Sequence, residues 1–210
     1  MHHIDKGITN PYNYLLEAVF YYNLVFKPIR IMTRMKKQQV ILLVINVIGG
    51  AAVIGSYMQG LLTHTEGANA LWGGISGSVR PLYGISMIAA ALGYFAFLYF
   101  IMLRLIPSEV RIAGRFGFRL FYLIFVGILV PSAFWMPLTY AMINNPGNGL
   151  WVGICTVLTL VGLASCALVW TLLTLQHKKP TKSYRLAVIG SGYFCFHTAV
   201  LDMLLWPVLF

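Results

Sequence analysis

The sequence predicts an all-α fold: a polytopic membrane bundle of five spanning helices, preceded by an amphipathic helix lying on the membrane surface. Three observations predict it. Hydrophobic residues fill 59% of the 210 positions and charged residues only 10%, against about 25% charged in a soluble domain. Five apolar runs each reach the roughly 20 residues that a spanning helix needs. The basic residues cluster in alternate connections between those runs. A soluble domain and a disordered chain are excluded by the first observation.

The five runs cover 40–62, 81–103, 120–143, 150–175 and 186–210. They are too long and too evenly apolar for buried strands, and they lack the ten-residue alternation of an outer-membrane barrel. Lys6, Lys27, Arg30, Arg34, Lys36 and Lys37 precede the first run. Arg104, Arg111, Arg115 and Arg119 lie between the second and third, and Lys178, Lys179, Lys182 and Arg185 between the fourth and fifth. Fourteen of the fifteen basic residues thus share one side of a five-span chain, with Arg80 alone on the other. Basic loops stay cytoplasmic, which predicts the N-terminus inside and the C-terminus outside. The same segregation accounts for the formal charge of +10 through contact with anionic lipid, and no nucleic-acid partner is needed.

Residues 1–39 form a cytoplasmic segment and residues 40–210 the membrane domain. The opening segment lacks the short apolar core and small-residue cleavage site of a signal peptide, so the first span serves as the anchor. Within 11–32, Asn13, Glu17, Asn23, Lys27 and Arg30 share one arc of a helical wheel, and Tyr14, Tyr21, Tyr22, Val25 and Ile29 lie opposite. That pattern suits a helix in the membrane interface, ended or kinked at Pro28; a re-entrant or spanning sixth helix is the alternative. The expected location is a bacterial inner membrane or an equivalent energy-transducing membrane.

Small residues mark helix contacts, because lipid gives no hydrophobic drive between spans. Asn46, Gly49, Gly50, Ser56 and Gly60 line one face of the first span, and Ser86, Ala89, Ala90, Gly93 and Ala96 one face of the second. Asn46 is the foremost interhelical hydrogen-bonding candidate. Pro131 and Pro137 interrupt the third span, where the freed carbonyls must be satisfied by protein or a cavity.

Asp202 is the one acid inside a span. Its charge costs at least about 2.5–3.5 kcal/mol at mid-membrane, so it needs a partner. Arg80, the one basic residue on that side, is the expected partner in an Arg80–Asp202 ion pair. An outward-opening ligand pocket is expected from Arg80, Ser132, Trp135, Thr139, Thr198, Asp202 and Trp206. His197, the one histidine in a span, lies about 140° from Asp202 at 100° per residue, which separates the two. It could ligate a haem or chlorophyll-type pigment axially, although the sequence requires no cofactor. Cys155, Cys166 and Cys195 read as packing residues. Neither HExxH nor GxSxG occurs, and five acids leave no metal cluster or carboxylate pair.

The function expected from these residues is non-catalytic. The leading reading is an accessory or scaffolding subunit of a larger membrane complex, with membrane lipids and other membrane subunits as partners. The second is a binder or carrier of a small lipophilic ligand such as a lipid, quinone or pigment. A lipid-modifying enzyme ranks third.

Overall fold

A computed structural model describes residues 36–63, 67–176 and 181–210. The interfacial helix expected over 11–32 lies outside the described residues, as do His64 and His177. The chain is a five-helix bundle of membrane-spanning length and apolarity, without strands among the described residues: α1 Lys37–Thr63, α2 Arg80–Leu103, α3 Leu120–Asn144, α4 Asn148–Leu173 and α5 Lys182–Leu209. This is an integral membrane protein.

Helix starts follow capping chemistry more closely than hydropathy. The Lys36 amide donates to Gln39 Oε1 at 2.9 Å, one half of a capping box, so α1 begins three residues before the apolar run. Thr181 Oγ1 accepts from the Tyr184 amide at 3.3 Å and sets the start of α5 four residues early. Pro81 occupies the first turn of α2, where its missing N–H costs nothing.

The helices do not pack in chain order. α5 lies between α2 and α4, α4 between α5 and α3, and α1 packs on α3 while meeting α2 only sparsely. All described basic residues but Arg80 gather at one end of the bundle, because consecutive helices alternate in direction. There the connection 104–119 folds back on the end of α4: Gln176 donates to the Arg111 carbonyl and Ala113 to that of Thr174. A turn with positive φ at Ala113 and Gly114 makes this possible.

The half of the bundle near this basic end is an apolar core, with Phe97, Phe121, Phe125, Leu168 and Leu172 buried. Tyr94 packs edge-on against Phe97 at 5.1 Å and Phe125 at 5.9 Å. Its hydroxyl donates to Asn46 Oδ1, the bond expected of Asn46, and joins α1 to α2.

Two helix crossings depend on missing side chains. A methyl on Gly190 would come within 2.8 Å of the Gly93 carbonyl oxygen, so α2 and α5 meet backbone to backbone. Gly49 and Gly60 of α1 likewise sit against Leu129, Met136 and Tyr140 of α3. Gly49, Gly60 and Gly93 of the small-residue stripes read from the sequence therefore sit at helix contacts, whereas Gly50 has nothing in reach of an added Cβ. α3 runs unbroken through Pro131 and Pro137. The sulfurs of Cys166 on α4 and Cys195 on α5, both free thiols, lie 3.3 Å apart.

Overpacking a close crossing costs about 1–3 kcal/mol. Gly190→Val is therefore expected to lower the thermal midpoint in detergent clearly, while Gly192→Val on the same helix, with nothing in reach of its added Cβ, leaves it nearly unchanged.

Candidate functional site

The site begins with a change of helical register. From Phe196 to Leu205, α5 widens into a π-helix, in which the Trp206 amide bonds the Leu201 carbonyl five residues back. Pro207 follows at once. It has no N–H to close an α-type bond to Met203, and its ring crowds that carbonyl, which favours the wider register just before it. Residues five apart then come round toward the same face. His197 and Asp202 are five apart, so the 140° that an α-helix would put between them narrows sharply. The expectation that they point apart is corrected: His197 Nε2 lies 3.6 Å from Asp202 Oδ2.

A hydrogen-bonded network grows from this pair onto α2. The Tyr83 hydroxyl donates to Asp202 Oδ1 at 2.6 Å. Ser86, one helical turn further on, places Oγ 2.9 Å from His197 Nδ1. The Tyr193 hydroxyl donates to Ser86 Oγ at 3.1 Å. With Asp202 ionised, and so only accepting, the tautomer that suits both neighbours carries its proton on Nε2 and accepts from Ser86 on Nδ1. The edge-on contact of Tyr83 with the His197 ring, at 5.4 Å, fixes the imidazole plane.

Aromatic rings close the network toward the end of the bundle opposite the basic one. Trp206 is buried, stacks on Phe210 at 4.4 Å and donates Nε1 to the Leu71 carbonyl. Trp135 meets Trp206 at 5.6 Å and Tyr57 at 5.7 Å. The connection between α1 and α2 is pinned to this cap, where the Gly74 amide donates to the Leu209 carbonyl. Gly73 packs against Phe210 with a φ of +49°, a conformation that favours glycine. Trp135 Nε1 is buried without a hydrogen-bond partner.

The expected site residues divide sharply. Trp135 meets Trp206 in the cap and Asp202 meets His197 below it, and Tyr83 joins the two by packing on the cap cluster while bonding Asp202. Arg80 does not pair with Asp202. Its Nε donates to the Ile75 carbonyl at 3.1 Å, Nη1 meets Asn69 Oδ1 at 3.3 Å, and the guanidinium lies 5.9 Å from the Trp72 ring. As the first residue of α2 it finds these partners at the membrane edge without carrying its charge into hydrocarbon, and Tyr83, three residues deeper, takes the place expected of it. Ser132 and Thr139 donate to the carbonyls of Ile128 and Trp135 on their own helix. Thr198 turns to Ser165 Oγ on α4 and to the Phe194 carbonyl. Those three hydroxyls serve helices rather than a shared pocket. His197 offers no free nitrogen for axial ligation, since both face polar partners, so the site does not suit a haem or pigment bound through it. A shallow groove on α4, lined by Trp151, Cys155 and Thr159 among others, is separate from this network.

Tyr83, Ser86 and Tyr193 are the functional candidates that sequence reasoning missed. Pro207, five residues after Asp202, was the available signal of an altered register. Intramembrane side-chain hydrogen bonds average about 0.6 kcal/mol with a maximum near 1.7. Tyr83→Phe is therefore expected to lower the thermal midpoint modestly, and Asp202→Asn combined with it to cost less than the two singly, as a double-mutant cycle would show. Comparison with known protein families, with curated proteins and with solved structures finds no match for this chain.

Proposed function

We propose that this membrane protein binds a small lipophilic ligand carrying a polar group, at the α2–α5 network beneath the aromatic cap. The observation that carries this reading is Asp202. A carboxylate inside a span is costly and marks function by default. This one is oriented by Tyr83 and His197 and still keeps 28% of its side chain accessible. The unpartnered Trp135 Nε1 supports the reading from the other side of the cap, since a buried donor left unmade costs about 1–3 kcal/mol and a ligand acceptor would satisfy it. The sparse seam between α1 and α2 gives a lipid-dissolved molecule a lateral way in. A neutral lipid or a quinone fits these donors and rings better than a pigment held by His197.

The orientation that goes with this reading places the basic end in the cytoplasm and the aromatic cap outside, in a bacterial inner membrane or an equivalent energy-transducing membrane. The gathering of the described basic residues at one end supports it.

The test is thermal unfolding of the purified protein with a panel of membrane lipids and quinones. A ligand at one hundred times its Kd stabilises by about 2.7 kcal/mol. That stabilisation is expected for wild type, reduced in Asp202→Asn and Trp135→Phe, and its absence with every member of the panel would defeat the reading.

A second reading, an accessory or scaffolding subunit, draws on α1. Few of its residues are buried, and its exposed apolar face includes Val47, Ile48, Ile54 and Leu62. Extraction in mild detergent with stoichiometric partner subunits is then expected; a lone monomer contradicts it.

A further inference from the structure

We propose that Ser86 is a nucleophile and that the α2–α5 site hydrolyses a carboxylic ester of a membrane lipid. The proposal rests on the ligand reading and names its substrate class. It starts from an oddity of Ser86. A serine inside a helix ordinarily donates to a carbonyl three or four residues back, as Ser56, Ser132, Ser165 and Ser191 do here. Ser86 instead makes its bonds between helices, to His197 Nδ1 at 2.9 Å and from the Tyr193 hydroxyl at 3.1 Å. Nucleophile, base and a third group that orients the base are the parts of an activated serine, and they are recognised by geometry rather than by position in the chain. His197 Nε2 faces Asp202 Oδ2 at 3.6 Å, and Tyr83 holds the other carboxylate oxygen. Ser86 and His197 are 7% and 6% exposed, so the pair is shielded from bulk water, where electrostatic stabilisation of a developing charge is strongest.

Each group then has one task. Ser86 Oγ attacks the ester carbonyl carbon as its proton passes to His197 Nδ1, and the carbonyl π pair moves onto oxygen. The Tyr193 hydroxyl, already within hydrogen-bonding distance of Oγ, donates to that oxyanion. Collapse breaks the C–O bond to the leaving alcohol, which takes the proton from His197. Water then attacks the acyl-Ser86 carbonyl, gives a proton to His197, and the fatty acid leaves as the proton returns to Oγ. The balance is ester plus water to acid plus alcohol. Tyr193 is 37% exposed on the bundle surface, which gives an acyl chain in the bilayer a second approach to Ser86 besides the α1–α2 seam. Asp202 is a positioning residue, acting through His197.

The experiment treats the full chain in lipid nanodiscs with a long-chain fluorophosphonate and maps the adduct by peptide mass. Hydrolysis of a long-chain p-nitrophenyl ester is followed in parallel. A single adduct at Ser86 is expected, lost in Ser86→Ala and slowed about 100-fold or more in His197→Gln, in line with general-base contributions. Asp202→Asn slows labelling and Asp202→Glu restores it, which a purely structural acid would not produce. Should Ser86→Ala fail to fold, the labelling rate in His197→Gln decides. An adduct elsewhere, no adduct, or labelling of Ser86 indifferent to His197 overturns the proposal. No adduct alongside lipid-induced thermal stabilisation leaves the ligand reading standing, whereas loss of both removes the site itself.

Discussion

A carboxylate placed in hydrocarbon must find hydrogen-bond donors, and the half of the bundle near the aromatic cap is arranged around that requirement. Asp202 cannot meet it from its own helix, whose backbone donors are engaged. Tyr83 must therefore come from α2, and His197 must be rotated beneath it by a π-helical segment. Once α2 supplies the donor, α2 and α5 have to lie close together. The contact of Gly93 with Gly190 lets them do so. Glycine here is a condition of the polar network, one helical stretch away from the groups it serves.

The two halves of the bundle obey different physics. Near the basic end, rings of Tyr94, Phe97, Phe125 and Phe194 pack edge-on into a core held by dispersion. Near the cap, directional bonds dominate, and each polar group depends on the placing of the next. Such networks strengthen mutually when complete and are costly when broken. Side chains there have little freedom to adapt, whereas the apolar half can repack around modest volume changes.

The five spans were legible in the sequence because length and hydropathy are summed properties, insensitive to any one residue. Charge segregation was legible for the same reason. Capping moved the first turns of α1 and α5 by a few residues, a local effect that hydropathy does not register. The site was legible only as far as Asp202, whose cost announces it wherever it sits. Its partner was misassigned because Arg80 can be satisfied at the membrane edge by a carbonyl, Asn69 and Trp72, and the count of charges carries no information on that. The separation of His197 from Asp202 assumed 100° per residue, and one proline five positions on changed the register. Ser132, Thr139 and Thr198 do not line a shared pocket, because small hydroxyls in helices turn first to nearby carbonyls.

The spatial order of the helices bears on how the protein comes to exist. α3 and α4 are made between α2 and α5, yet the face bearing Tyr83 and Ser86 finds its partners on α5. Until α5 follows, that face stands in the bilayer or the insertion machinery without its complement, and α1 waits in the same way for α3. The site therefore forms only when α5 docks, bringing the acid and closing the gap between α2 and α4. A nascent chain truncated before α5 would hold α1 to α4 and no site.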